Sequence, residues 1–362
     1  MMTIIESRSR FFMKVKIPGC WLLAVLLVLF AAPANAREFQ VGVLYWSMNI
    51  PGQVAMRKGL EAEAENLNKI ALTDGKAAVK LEEYVAGNDE AGIENQIRQM
   101  TELVAKHVDI IIVQPTDNAA LVEPLKAANK AGIPVVAYDQ YISGGHLAAY
   151  RTSDNYQAGY LDGEYIASCF HKGRKMRLVL VEYPHVSSTV ERVNGFLDAL
   201  QESDVQYRIL KSYTAVEPVG GRKAAEDILR DFPKPGSIDA IFTVNDGGGL
   251  SVVKKLSEAG RNEIMTATID GDPASMENIK AKRLTVIDSA QFCGPLGAEV
   301  MKTAYALLTG GKPPYYALVP VFPITRETLG LYPGWQGPIP AAFKKPWKSH
   351  QPEWLGAIRI VK

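Results

Sequence analysis

From about residue 40 onwards, short apolar runs alternate with amphipathic stretches. Runs such as Ile110-Ile111-Ile112-Val113 are apolar on both faces of an extended segment, which suits a strand buried inside a parallel sheet. The stretches between the runs place apolar residues three and four apart, as at Ile93, Ile97, Met100 and Val104, which suits a helix with one buried face. The first half therefore predicts strand 40–46, helix 51–67, strand 79–85, helix 89–105, strand 109–113, helix 117–131 and strand 134–138. The pattern then restarts. A helix opens at Ser153-Asp154-Asn155 and runs to about 170, with Ser153 or Asp154 as its cap. Strand 177–182, helix 188–202, strand 206–212, helix 219–231, strand 238–243, helix 247–259, strand 264–269, helix 273–281 and strand 285–288 follow. Strict alternation of strand and helix implies the α/β class: two doubly wound, Rossmann-like lobes with parallel central sheets. In such sheets ligands bind outside the carboxyl ends of the strands, and two lobes can face those ends towards one another.

At 362 residues the chain is long enough for two such lobes. Hydrophobic residues make up 47% and charged residues 22%, as in ordinary globular proteins. The net charge of +1 gives no reason to expect nucleic acid as a partner. The first 36 residues read separately. Lys14 and Lys16 precede the apolar stretch Cys20 to Ala32, which is short for a membrane span, and Ala34-Asn35-Ala36 follows as an A-x-A cleavage site. The pattern is that of an export signal cut near Ala36, with an uncleaved anchor as the alternative. Met13 is the more usual distance for a start, so residues 1–12 form an extension whose translation the sequence leaves open.

An exported chain permits a disulfide. The expectation here is two separate thiols, because Cys169 ends a helix of the second lobe and Cys293 follows a crossover between lobes. No Cys/His spacing suggests a metal, no cofactor motif is present, and no nucleophile elbow or P-loop suggests an enzyme. Residues 333–362 differ from the rest. Prolines at 333, 338, 340, 346 and 352 exclude a long helix, while Trp335, Phe343, Trp347 and Trp354 argue against free disorder. The expectation is an extended arm packed on the body, with a docking surface as the alternative.

Polar residues gather where strands end. They are Trp46, Asn49 and Gln53 in the first loop, then Asp139-Gln140-Tyr141, the segment Glu182 to Arg192, Asn245-Asp246, Asp270 and Gln291. Carboxylates and amides exchange hydrogen bonds with hydroxyls, an arginine supplies a fork of donors, and an aromatic face covers the C–H side of a sugar ring. Each residue alone has a plainer reading as a cap, a turn or core.

The segments QPTDNAALVEPLKAANKAGIPVVAYDQ, SDNYQAGYLDGEYIA, ERVNGF, DAIFTVND and ATIDGDP to DSAQ, in that order, resemble the ribose-binding-type periplasmic solute-binding proteins from about Phe39 to Leu329. The resemblance implies a type I fold with a three-strand hinge near residues 139–153, 289–292 and 320–324. It implies a first lobe of 37–140 plus 292–320, a second of 141–291 plus 321–332, and the arm 333–362 beyond them. It also implies that Asp139, Arg192, Asn245, Asp270 and Gln291 bind hydroxyls. The chain departs from the pattern at three points. Gln140 replaces a basic residue, Gly52-Gln53 replace a phenylalanine pair after Pro51, and Trp46 replaces a small polar residue. The stacking face therefore moves to Trp46, with Tyr141 as a second, and ribose itself becomes doubtful. The implied function is capture of a small sugar or polyol by a monomer that delivers it to a membrane ABC permease. The alternative is a periplasmic co-receptor for a sensor kinase or chemoreceptor. On this reading Arg192→Ala abolishes binding and leaves the fold intact.

Overall fold

The computed structural model describes residues 38–170 and 173–362, so the expected leader, residues 1–36, lies outside the described residues. Along the chain the first elements are β1 (Glu38–Tyr45), α1 (Pro51–Asp74), β2 (Ala78–Val85), α2 (Asp89–Ala105), β3 (Ile110–Val113), α3 (Val122–Lys130), β4 (Val135–Tyr138) and β5 (Ala149–Ser153). The second series is α4 (Asn155–Cys169), β6 (Met176–Glu182), α5 (Ser187–Glu202), β7 (Tyr207–Thr214), α6 (Pro218–Asp231), β8 (Ala240–Thr243), α7 (Asp246–Glu258), β9 (Met265–Asp270), α8 (Pro273–Lys280) and β10 (Thr285–Gln291). The chain closes with α9 (Cys293–Leu308), β11 (Tyr316–Val319), β12 (Val321–Ile324), β13 (Phe343–Lys344), β14 (Glu353–Trp354) and β15 (Arg359–Val361).

Two sheets result. The first has the order β15-β11-β5-β4-β3-β1-β2 and the second β12-β10-β9-β8-β6-β7. Pairing is parallel throughout both except at the last strand of each, where β15 runs antiparallel to β11 and β12 to β10. Both sheets contain the same doubly wound core, with the initial strand between the second and the third, so each has a switch point where a crevice opens at the strand ends. The chain passes between sheets from β5 to α4, from β10 to α9 and from β11 to β12, the three crossings of a hinge.

The helix pairs that back the two sheets are packed through glycine. A methyl group on Gly159 of α4 would lie 1.8 Å from the Arg192 carbonyl of α5, and one on Gly297 of α9 would lie 2.0 Å from the Met56 carbonyl of α1. Backbones in contact at these points set how far α1 and α5 stand from their sheets, and both helices begin at the cleft.

Three elements differ from expectation. β5 falls within the expected hinge segment 139–153, yet it is a fully buried strand of the first sheet, so that sheet extends to Ser153 and not to 140. Its sequence, AYRTS, carries no apolar run. Burial of Arg151 is made possible by hydrogen bonds from its guanidinium to the carbonyls of Tyr150, Tyr315 and Pro314 and to Thr303 Oγ1. Helix α3 starts at Val122 and not at 117, because Asp117 Oδ1 accepts from the amides of Ala119 and Ala120 and holds a turn there. Helix α1 runs to Asp74, where Gly75 at φ 65° terminates it.

The segment 333–362 lies on the body as an extended arm. Strands β13 and β14 form a small antiparallel pair whose Trp354 packs edge-on to Phe322 of the second sheet at 5.2 Å. Beyond it, β15 joins the first sheet. Cys293, at the start of α9, is a buried free thiol.

Candidate functional site

The carboxyl ends of the two sheets face each other across a narrow cavity of about 30 Å³. From the first lobe it is lined by Trp46, Gln53, Asp139 and Gln140, and from the second by Ser188, Arg192, Val216, Asn245 and Asp270, with Gln291 at the second hinge crossing. Eight of the ten residues expected from the sequence therefore meet in one place. Two do not. Asn49 is exposed and lines an outer groove with Tyr183 and Glu217, because the chain turns outward between Trp46 and α1. Tyr141 points away from the cavity, with its ring edge-on to Tyr150 at 5.6 Å, so it offers no second stacking face there.

Asp139 follows β4 with φ 62°, and Asp270 ends β9 with φ 132°. Both are non-glycine residues in backbone regions that side chains avoid, and each is held there from behind. The Asp139 carbonyl accepts from Tyr150 Oη at 3.1 Å and Thr152 Oγ1 at 2.8 Å, so the unforeseen strand β5 fixes the first carboxylate. The Asp270 carbonyl accepts from the indole nitrogen of Trp335 at 2.6 Å.

Arg192 is fully buried near the start of α5. Its Nη1 donates to the Val244 carbonyl at 2.7 Å and to Asp270 Oδ1 at 3.2 Å, and its Nε donates to Asn155 Oδ1 at 2.9 Å. Gln291 Nε2 donates to the same Asp270 oxygen at 2.6 Å, while Gln291 Oε1 accepts from Ser153 Oγ at 2.7 Å. Asn245 is an N-cap as well as a lining residue: its Oδ1 accepts from the Gly248 amide and its Nδ2 donates to the Val216 carbonyl. Gln114, which no motif singled out, orders the first-lobe wall. Its Nε2 donates to Asp139 Oδ2 at 2.8 Å and its Oε1 accepts from the Trp46 amide at 3.3 Å. It directly follows β3 at the switch point, which is the signal that would have found it.

Burial pushes the Asp139 carboxyl above its ordinary range, against the pull of the Arg192 charge and the Gln114 hydrogen bond. Burial likewise pushes Asp270 up to about 6, with Arg192 and Gln291 opposing it. Two acceptors in the cavity have no hydrogen-bond partner: Asp139 Oδ1 and Gln140 Oε1. Buried acceptors of this kind call for donors. Across the mouth, Gln140 Nε2 donates to Ser188 Oγ at 3.3 Å and the Tyr141 amide to Ser187 Oγ at 3.1 Å, so the lobes touch directly beside the site. Trp46 is 5% exposed and forms one wall, with its ring 6.3 Å from that of Tyr183. Among the described residues no group of three or more His, Cys, Asp or Glu is arranged to hold a metal ion.

A profile of the periplasmic binding protein domain matches residues 41–312, three quarters of the chain. The chain belongs to that periplasmic binding protein family. The match takes in every lining residue named above and ends before the arm. Among curated periplasmic binding proteins, the ribose import binding protein of Bacillus subtilis (strain 168) is 28% identical over 269 residues, covering 73% of this chain and 81% of its own. The ribose import binding protein of Escherichia coli (strain K12) is 26% identical over 285 residues, covering 78% and 88%. Two solved structures show the same fold. An ABC transporter solute-binding protein from Bacillus halodurans C-125, with bound myo-inositol, superposes with a TM-score of 0.71 at 22% identity over 82% of this chain and 98% of that one. One from Actinobacillus succinogenes 130z, with bound D-allose, has a TM-score of 0.68 at 24% identity over 81% and 100%. Proteins of this family are solute-binding proteins, which agrees with a site built of hydroxyl-matching polar groups.

Proposed function

We propose that this periplasmic binding protein captures a small polyhydroxylated ligand, a sugar or polyol, between its closing lobes and delivers it to a membrane ABC importer. The carrying observation is the pair of buried acceptors without partners, Asp139 Oδ1 and Gln140 Oε1, on residues that line the cavity together with Arg192. Hydroxyl groups satisfy such acceptors, and the guanidinium and Asn245 amide supply donors to the ligand's own oxygens. The relatives' names support this class: they include binders of ribose and of allose. The departure at Gln140 favours a ligand other than ribose, because a neutral amide replaces a positive charge next to Asp139. Trp46 is the apolar wall against which a ring lies.

The cavity of about 30 Å³ has room for about two waters, so a sugar enters only as the lobes part. Ligand contacts made by both lobes then favour the closed form over the open one. Exported chain cleaved near Ala36, the protein acts as a monomer that presents its closed form to a permease. The test is a thermal-shift screen of residues 37–362 against pentoses, hexoses, polyols and amino sugars. A ligand that binds only the folded state raises the melting temperature. A shift with one polyhydroxylated compound, lost in Asp139→Asn, is the expected result. Silence across the panel overturns the ligand class.

A further inference from the structure

The arm 333–362 lies outside the family match, yet it reaches the ligand cavity from behind. Its attachment to the second lobe is strong. Glu164 of α4, 1% exposed, accepts from Lys345 Nζ at 2.7 Å, Trp347 Nε1 at 3.0 Å, Ser349 Oγ at 2.6 Å and the His350 amide at 3.2 Å. Trp354 adds a hydrogen bond to the Val321 carbonyl at 2.7 Å. From this anchorage the dipeptide Trp335-Gln336 contacts both lobes. Trp335 Nε1 donates to the Asp270 carbonyl, and the Trp335 carbonyl accepts from the Gly294 amide at the start of α9 at 2.8 Å. Gln336 Nε2 donates to the Ala55 carbonyl of α1 at 2.9 Å, two residues from the cavity residue Gln53.

The two site carboxylates are thus held in the same way by different parts of the chain. Each sits at positive φ, and each has its carbonyl fixed by a side chain. Asp139 is held by its neighbour strand β5. Asp270 is held by the arm, 65 residues further along the chain. We propose that the C-terminal arm is a working part of the ligand site, with Trp335 as the residue that positions Asp270 against the opposite lobe. Because α1 and α9 belong to the first lobe and β9 to the second, the dipeptide fixes the spacing between Asp270 and the first turn of α1 in the closed form.

The inference on affinity rests on the sugar-or-polyol reading, but the positioning itself does not. The test is made in the chain 37–362 with Trp335→Phe, which keeps an aromatic ring and removes the N–H donor, and with Gln336→Ala. Without any ligand, hydrogen exchange of the segment 269–272 is expected to quicken in Trp335→Phe while the melting temperature stays near that of the parent. With D-ribose, D-allose and myo-inositol as probes, the dissociation constant of whichever binds the parent is expected to rise about tenfold, chiefly through faster dissociation. Unchanged exchange at 269–272 in the folded Trp335→Phe chain overturns the proposal. So does an affinity within about twofold of the parent in both variants. If no probe binds the parent, the ligand class fails while the exchange result still decides the role of Trp335.

Discussion

Arg192 is the group whose removal can be worked out most fully. Replacing it with Met keeps the length of the side chain and removes the charge. Two acceptors then lose their donor, the Val244 carbonyl and Asn155 Oδ1, at about 1–3 kcal/mol for a buried unsatisfied group. The carboxylate of Asp270 also loses its counter-charge. With Arg192 in place this carboxyl is already pushed up from 3.8 to about 6 by burial. The sign follows from linkage. A carboxyl raised in the folded state destabilises progressively as pH climbs from its unfolded value to its folded value, and contributes a constant amount above that. In the parent this loss is complete near pH 6. In Arg192→Met the folded carboxyl titrates higher still, so stability goes on falling beyond pH 6, by about 1.4 kcal/mol per pH unit until the new midpoint is reached. At pH 5 Asp270 is protonated in both proteins and the two differ only by the orphaned acceptors. At pH 7 the difference grows by about 1.4 kcal/mol, and at pH 8 by up to about twice that. Asp139, which also feels the Arg192 charge, acts in the same direction. Urea denaturation followed by tryptophan fluorescence at pH 5, 6, 7 and 8 measures the difference directly, and adding Asp270→Asn should remove much of its pH dependence. A difference that is the same at pH 5 and pH 8 would refute the buried charge pair. Arg192 also ties α4, the end of β8 and β9 together, so Arg192→Ala is expected to lower stability as well as to abolish binding.

The other predictions concern the cavity and its supports. A polyol that donates hydroxyls to Asp270 draws its raised pKa down, so binding releases protons near pH 6, and the raised carboxyl of Asp139 acts in the same direction; calorimetry in phosphate and in Bis-Tris should give different heats, and equal heats would mean that neither carboxyl accepts from the ligand. Trp46→Ala should lose about 3 kcal/mol of stability as a buried aromatic as well as ligand affinity, measurable by denaturation and by titration of the best ligand. Glu164→Gln leaves Lys345 buried without its counter-ion and should cost about 3–5 kcal/mol, seen as a lower melting temperature. Gly159→Ala drives a methyl into the Arg192 carbonyl and should destabilise by about 1–3 kcal/mol or more, whereas Gly330→Ala, with open space around it, should leave the α4–α5 contact and ligand affinity unchanged.

What the sequence made legible follows from the range of the interactions involved. Asp139, Asn245 and Asp270 stand at or just beyond the ends of strands with strong apolar runs, so their place at the sheet ends could be read from local pattern alone. Trp46 follows β1 in the same way, Gln53 falls in the first turn of α1, and Arg192 falls in the first two turns of a well-marked helix. Strand β5 is not legible because it carries polar residues whose partners lie outside it, as Thr303 lies 152 positions from Arg151 and Gln291 lies 138 from Ser153. Gln114 was hidden inside a motif whose proline and aspartate drew attention to the turn. The role of Trp335 depends on a contact with Asp270 that no periodicity encodes. Tyr141 and Asn49 were misplaced because a loop residue's direction depends on backbone angles that composition does not fix.

The positive φ angles at Asp139 and Asp270 have a consequence for any attempt to improve this molecule. Backbone strain of this kind stands at about 1–3 kcal/mol for each residue, and glycine would relieve it. A library selected only for heat resistance would therefore be enriched in substitutions at the two positions on which ligand capture depends. Thermal tolerance and recognition pull in opposite directions at residues 139 and 270, and hardened descendants of this chain are best screened for capture in the same round.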